Sequence, residues 1–170
     1  MIAKIATPLL FPFYSLCGFV FVFWASVRKP HPLTLEQFGI RVVAPKDYGS
    51  WDNHGEIYNA LVLLKRFDEE KLELVKKYIR IVFLCTIKNE GAEGGRLPTG
   101  RVCLLDLQKF ADCSAGMIPI QVAGMLVRFA SLAKYKKGYK EAFWTSDDVR
   151  KICMEEQRLT VEKLIDCFCK

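Results

Sequence analysis

The chain has 170 residues, of which 51% are apolar and 26% charged, and this composition excludes an intrinsically disordered protein. The net charge is +6, but the basic residues are spread along the sequence. The densest group is Lys134, Lys136, Lys137 and Lys140. A solvated helix end accounts for it, with contact to nucleic acid or anionic lipid as the alternative. No RNP-type or zinc-finger pattern accompanies these lysines, so we do not expect a nucleic-acid partner.

The first 29 residues differ from the rest of the chain. Residues 5–27 carry no charge and are long enough to cross a bilayer. Trp24 stands near the end of this segment, and Arg28 and Lys29 follow it as a basic stop. Residues 1–29 are therefore predicted to form a single-pass membrane anchor, with the remaining domain on the cytoplasmic side. A cleaved signal peptide and a helix buried in a soluble protein are the alternatives.

The cysteine pattern also favours a cytoplasmic position for the domain. The chain has seven cysteines, an odd number, and none of them forms C-x-x-C. Cys167 and Cys169 are too close together to define a zinc site alone. A disulfide scaffold is therefore not predicted, and a reducing compartment is favoured.

Residues 30–55 are predicted to connect the anchor to the domain. This segment holds both histidines of the chain, His31 and His54, and neither has a second metal ligand at a suitable spacing. Exposed loop histidines are the expectation for both. The loop that carries Trp51, Asp52 and His54 is rich in polar and aromatic groups. It is a candidate binding loop, because functional residues concentrate on loops, but a simple turn is the favoured account.

Hydrophobic periodicity and turn residues predict the remaining elements. In chain order they are a short strand at residues 39–44, two helical segments within 56–77, a strand at 78–85, a glycine-rich loop at 88–100, a strand at 101–107, a helix at 118–136 and a last helix beginning near 145. The expected fold class is α+β: a small, helix-rich domain at residues 30–170 with a short sheet, preceded by the N-terminal hydrophobic helix.

The helix predicted at residues 118–136 divides into two sides on a wheel of about 100° per residue. The apolar side holds Val122, Met125, Leu126, Phe129, Leu132 and Ala133, and the neighbouring side holds Gln121, Gly124, Arg128, Ser131 and Tyr135. Arg128 is therefore expected at the boundary, with its stem packed and its head in solvent. The last helix has an apolar stripe predicted to include Ile152, Leu164 and Phe168, and Glu156 falls on that stripe. A carboxylate there requires a partner.

Four segments together resemble a bacterial family of zinc metallopeptidase-like (zincin-like) proteins. They are Arg101–Leu107 (RVCLLDL), Val127–Tyr135 (VRFASLAKY), Gly138-Tyr139 and Ile152–Gln157 (ICMEEQ), and the likeness covers residues 56–168 by order and spacing. The resemblance implies a zincin-like domain. It also implies that the second of these segments occupies the place of a V-H-E-A-T-H-A-R-L helix.

The residues at the metal-site positions depart from that pattern. In H-E-x-x-H two histidines face one metal and the glutamate is the base. Arg128, Phe129 and Leu132 stand at those positions, and none can ligate a metal or accept a proton. The resemblance therefore implies a pseudoenzyme without a metal or other cofactor. It also places a third ligand position on the last helix, at Glu156 or Glu155, where a carboxylate could pair with Arg128.

No G-x-S-x-G motif is present, and Asp106 and Asp112 are expected as a strand-end acid and a turn acid. The favoured function is binding by a membrane-anchored, degenerate metallopeptidase-like domain, with an unidentified protein partner. The alternatives are an enzyme with a site near Asp52, His54 and Asp106, or a soluble structural or interaction protein.

Overall fold

A computed structural model describes residues 35–44, 52–88, 93–96, 101–135 and 147–168 of the chain, with the backbone alone at residues 36 and 52–54. The predicted anchor at residues 1–29 lies outside the described residues. Within the described ranges, no helix has the length and apolar character required to cross a membrane.

The described part of the chain folds as an α+β domain with a four-stranded mixed sheet. The strands are β1 (Arg41–Val43), β2 (Ile81–Leu84), β3 (Gly94–Arg96) and β4 (Val102–Leu105), in the spatial order β1-β2-β4-β3. Strands β1, β2 and β4 are parallel, and β3 runs antiparallel to β4. All four residues of β2 are buried, as expected for a central parallel strand covered on both faces.

Four α-helices accompany the sheet in the described ranges: α1 (Asp52–Phe67), α2 (Glu69–Tyr78), α3 (Ile118–Tyr135) and α4 (Asp147–Phe168). Helices α1 and α2 form the connection between β1 and β2. Acidic residues open α2 and Lys76 and Lys77 close it, which complements the helix dipole. At Ile79 the backbone becomes extended, with φ −121° and ψ 130°, and leads into β2.

One face of the sheet packs against the helices. Val82 and Leu84 of β2 and Cys103 and Leu105 of β4 lie on this face and join the main core, together with buried side chains from all four helices. The alternating strand residues form a second buried cluster on the other face, consisting of Val43, Ile81, Phe83 and Val102. Helix α3 is the most deeply buried helix because it contacts α1, α2 and α4.

The more polar side of α3 faces α4 at Gly124. A Cβ atom built on Gly124 would lie 2.6 Å from Cγ2 of Val161 and 3.2 Å from Cγ of Gln157. Ser131, from the same side of the wheel, is 1% exposed. Glycine and serine do not count as apolar in a periodicity, but their small size allows helices to pack closely.

Two predictions require correction. The loop predicted at residues 88–100 contains β3, whose Gly-Gly-Arg sequence lacks the β-branched residues that indicate a strand. On α4 the buried residues are Cys153, Thr160 and Leu164, whereas Ile152 and Phe168 are 46% and 59% exposed. Thr160 is accommodated in the core because its hydroxyl donates a hydrogen bond to the backbone oxygen of Glu156 at 2.8 Å.

The close approach of α3 and α4 predicts an unusual response to alanine. In a helix, Gly→Ala normally stabilises by about 1 kcal/mol. We expect Gly124→Ala to lower the free energy of unfolding instead, by about 1–2 kcal/mol, because the new methyl group overlaps Val161. Gly55→Ala in α1 is the matched control, since no atom lies within 4 Å of its Cβ position. Urea denaturation of both variants measures the difference, and equal stabilisation would contradict the packing described.

Candidate functional site

The contact between α3 and α4 places Arg128 against Gln157. Nη1 of Arg128 donates to Oε1 of Gln157 at 3.4 Å, and Nε2 of Gln157 lies 3.4 Å from the sulfur of Met125. The Arg128 guanidinium also lies 5.9 Å from the ring centroid of Phe129. Arg128 is only partly exposed. Its head is therefore held between the two helices rather than fully solvated.

The two apolar residues at the motif positions pack into the core. Phe129 is 4% exposed, and its Cε2 atom lies 2.9 Å from the Cβ position of Gly94 on β3. Leu132 is partly buried against the main core. Where α3 passes the edge strand β3, the space is therefore occupied by the apolar ring of Phe129. Neither Phe129 nor Leu132 presents a polar group there.

Glu156 forms an ion pair with Lys71 of α2 rather than with Arg128. The Glu156 and Lys71 side chains are 28% and 23% exposed, so solvent screens this pair only in part. The hypothesis that Arg128 pairs with Glu156 is therefore wrong. On α4 the neighbouring residue, Gln157, points toward Arg128 because it shares the α4 stripe of Cys153, Thr160 and Leu164.

A groove of about 690 Å³ lies between α2 and α3, and we name it the α2–α3 groove. It is bounded by the first 3-10 helix (Glu36–Phe38) and Gly39, by α2, by the C-terminal turn of α3 and by Glu156. Its charged lining residues are Lys71, Lys76, Lys77, Arg80, Lys134, Glu70, Glu73 and Glu156. Ser131, one turn after Arg128, also lines it. Arg128 and Gln157 do not line the groove, which begins about one turn further along α3.

Asp106 has a structural role at the end of β4. Its carboxylate accepts hydrogen bonds from the backbone N–H of Ile87 at 2.7 Å and of Gln108 at 3.2 Å. The second bond caps the 3-10 helix Leu107–Phe110. Asp112, in the following turn, is exposed. The strand-end and turn positions predicted for these two acids are those found.

The thiols near Asp106 are not activated. Burial raises the pKa of Cys85, and the negative charge of Asp106 raises it further. Burial also raises the pKa of Cys103, far above the usual range, although the nearby charge of Arg96 opposes the change. Because the thiolate is the nucleophilic form, both shifts work against covalent catalysis at these cysteines.

The predicted binding loop is only partly described. Trp51 lies outside the described residues, and Asp52 and His54 lie in the first turn of α1, where the backbone alone is described. The prediction of a loop at Asp52 and His54 was therefore wrong, because the helix begins earlier than the apolar periodicity indicates. Among the described residues, no three His, Cys, Asp or Glu side chains come together in a way that could hold a metal ion.

Comparison with known proteins yields no relative: no family model, curated protein or solved structure matches the chain. Two residues of the site, Lys71 and Gln157, were not identified from the sequence. The available signals were the charge on Glu156, which requires a cation, and the four-residue step from Cys153 to Gln157 on the buried side of α4.

A double-mutant cycle tests the ion-pair assignment. We expect Lys71→Met and Glu156→Gln to show a coupling energy of about 0.5–1 kcal/mol in urea unfolding, because the pair is partly shielded from water. The control cycle combines Arg128→Met with Glu156→Gln, and its coupling should stay within about 0.3 kcal/mol of zero. A larger coupling energy between Arg128 and Glu156 than between Lys71 and Glu156 would contradict this assignment and support the pairing of Arg128 with Glu156.

Proposed function

We propose that this chain is a membrane-anchored, catalytically degenerate metallopeptidase-like domain that acts by binding rather than by hydrolysis. In this proposal residues 1–29 form a single-pass anchor, and the α+β domain is zincin-like and lies on the cytoplasmic side. The observation that carries the proposal is the contact between Arg128 of α3 and Gln157 of α4. It brings the first motif position opposite a side chain of the last helix, one residue after Glu156, where the family resemblance implies a third ligand.

The side chains at these positions do not fit a metal. Arginine stays protonated and cannot ligate, and Phe129 and Leu132 have no donor atoms. The last helix presents the neutral amide of Gln157 to Arg128, whereas the carboxylate of Glu156 is paired with Lys71. With these residues no step of metal-assisted hydrolysis can be assigned to α3.

What remains is a surface suited to recognition. The contact of Arg128 and Gln157 joins the two helices, and the α2–α3 groove opens further along α3, from Ser131 onward, with several charged groups on its walls. A concave surface of this volume lies in the usual range of binding sites. The proposed function therefore assigns the domain a bound partner and no reaction.

Introducing three histidines as metal ligands tests the geometry of the proposed degenerate metal site. The variant Arg128→His, Leu132→His, Gln157→His places two histidines at i and i+4 on α3 and a third on α4. We expect it to bind zinc with a dissociation constant of about 1 µM or tighter, measured by competition with a zinc-sensitive dye. Circular dichroism of the variant checks that it folds.

The control for this experiment carries the third histidine one residue earlier, as Glu156→His with the same two changes on α3. Because position 156 points toward Lys71, we expect zinc binding at least about tenfold weaker. The unmodified protein is analysed for metals by atomic emission. One tightly held zinc per chain in that protein would overturn the proposed loss of the metal site.

Fractionation tests the anchor. We expect the full chain to sediment with membranes and to resist an alkaline carbonate wash, because residues 5–27 are uncharged and long enough to span the bilayer. A chain lacking residues 1–29 should remain in the supernatant after cell lysis. Extraction of the full chain by carbonate, or membrane retention of the shortened one, would contradict a single N-terminal span.

A further inference from the structure

The cations of the α2–α3 groove are only partly neutralised by its acids. Lys71 is paired with Glu156, and Lys76 with Glu73 at 2.5 Å. The other cations of the lining, Lys77, Arg80 and Lys134, form no ion pair with any described residue. They are contributed by three parts of the chain: the end of α2, the turn before β2, and the end of α3.

Aromatic rings accompany two of these free cations. The Lys77 ammonium lies 5.5 Å from the ring centroid of Tyr78, and the Lys134 ammonium lies 5.5 Å from that of Tyr135. Tyr135 is 39% exposed. Lys77 and Lys134 are both exposed, so each ammonium group is open to an anion and has a ring beside it.

The third cation lies beside the opposite wall of the groove. Nη1 of Arg80 lies 3.4 Å from the Cβ position of Gly39, whose φ of +65° favours glycine. The exposed guanidinium therefore lies next to the turn at Gly39, at the rim of the groove. Arginine can bind a carboxylate through two parallel hydrogen bonds, which gives the site a directional donor.

We propose that the α2–α3 groove binds an acidic peptide segment of a protein partner, with the carboxylates of that segment meeting Lys77, Arg80 and Lys134. This inference rests on the proposed binding function and gives it a site and a ligand class. The tyrosine rings provide apolar contact between the charged positions, as is common at peptide and protein interfaces.

The acids of the lining favour a peptide over a nucleic acid or a membrane surface. Glu70, Glu73 and Glu156 lie in the same groove as the cations. A nucleic-acid backbone carries closely and regularly spaced phosphates, and its binding surfaces are strongly positive for that reason. A peptide with separated carboxylates can meet the three free cations while keeping away from the three glutamates.

The experiment uses the full chain in a non-ionic detergent and a short, fluorescein-labelled peptide of alternating glutamate and serine. Fluorescence anisotropy measures its affinity at low and at physiological salt. We expect the variant Lys77→Gln, Arg80→Gln, Lys134→Gln to weaken binding by roughly tenfold or more, through the loss of three positive charges from the groove. A peptide with glutamine in place of glutamate should not bind measurably.

The matched control removes the same charges elsewhere, as Lys65→Gln, Arg66→Gln and Lys151→Gln, all at exposed helix positions outside the groove. The affinity of this control variant for the acidic peptide should be within about twofold of that of the unchanged protein, because loss of charge outside the groove has little effect on the affinity. Equal weakening in both variants, or no binding of the acidic peptide by the unchanged protein, would overturn the proposal.

Two further probes decide the ligand class. A fluorescein-labelled single-stranded oligonucleotide and vesicles containing phosphatidylserine are titrated against the same proteins. We expect both to bind more weakly than the acidic peptide and to respond equally to the groove variant and its control. If either probe bound more tightly than the acidic peptide, and only the groove variant lost that binding, the chemical class of that probe would replace the acidic peptide as the proposed ligand. These results do not depend on zinc analysis, so failure of the groove proposal is distinguishable from failure of the degenerate metal-site proposal.

Discussion

Helix α3 comes so close to α4 at Gly124 that a single methyl group there would overlap Val161. This contact determines which side of α4 is buried, and Gln157 and Thr160 enter the interface although both are polar. Each of them is satisfied by a hydrogen bond, so burial does not leave an unpaired polar group. The position of Arg128 follows, because its partner Gln157 belongs to the same α4 segment.

Two ion pairs fix α4 against the start of α2. Lys71 meets Glu156, and Asp68, which is 9% exposed, meets Lys163 at 3.0 Å. The acid comes first and the base second on both helices, so the pairs form only when the two segments run in opposite directions. A slip of α4 by one turn would separate both pairs and also move Val161 away from Gly124. Charge and shape therefore specify the same docking.

Much of the domain follows from sequence periodicity, and the rest fails for identifiable physical reasons. The four helices and three strands have apolar spacings or β-branched runs, whereas Gly-Gly-Arg in β3 has neither. The α4 stripe was misplaced because Thr160 and Gln157 do not count as apolar. The α2–α3 groove could not be predicted, since Lys77 and Lys134 are brought together only by the packing of α2 on α3.

The lengths of the edge strands determine how this sheet can associate with other chains. Strands β1 and β3 form the edges of the described sheet, and each is three residues long. So few free backbone groups offer little for an added strand to pair with, and half-buried Arg96 on β3 places a charge at one edge. Edge-to-edge aggregation is thereby disfavoured. A partner that bound by extending the sheet would gain little from these edges, so side-chain surfaces are left to provide selective recognition.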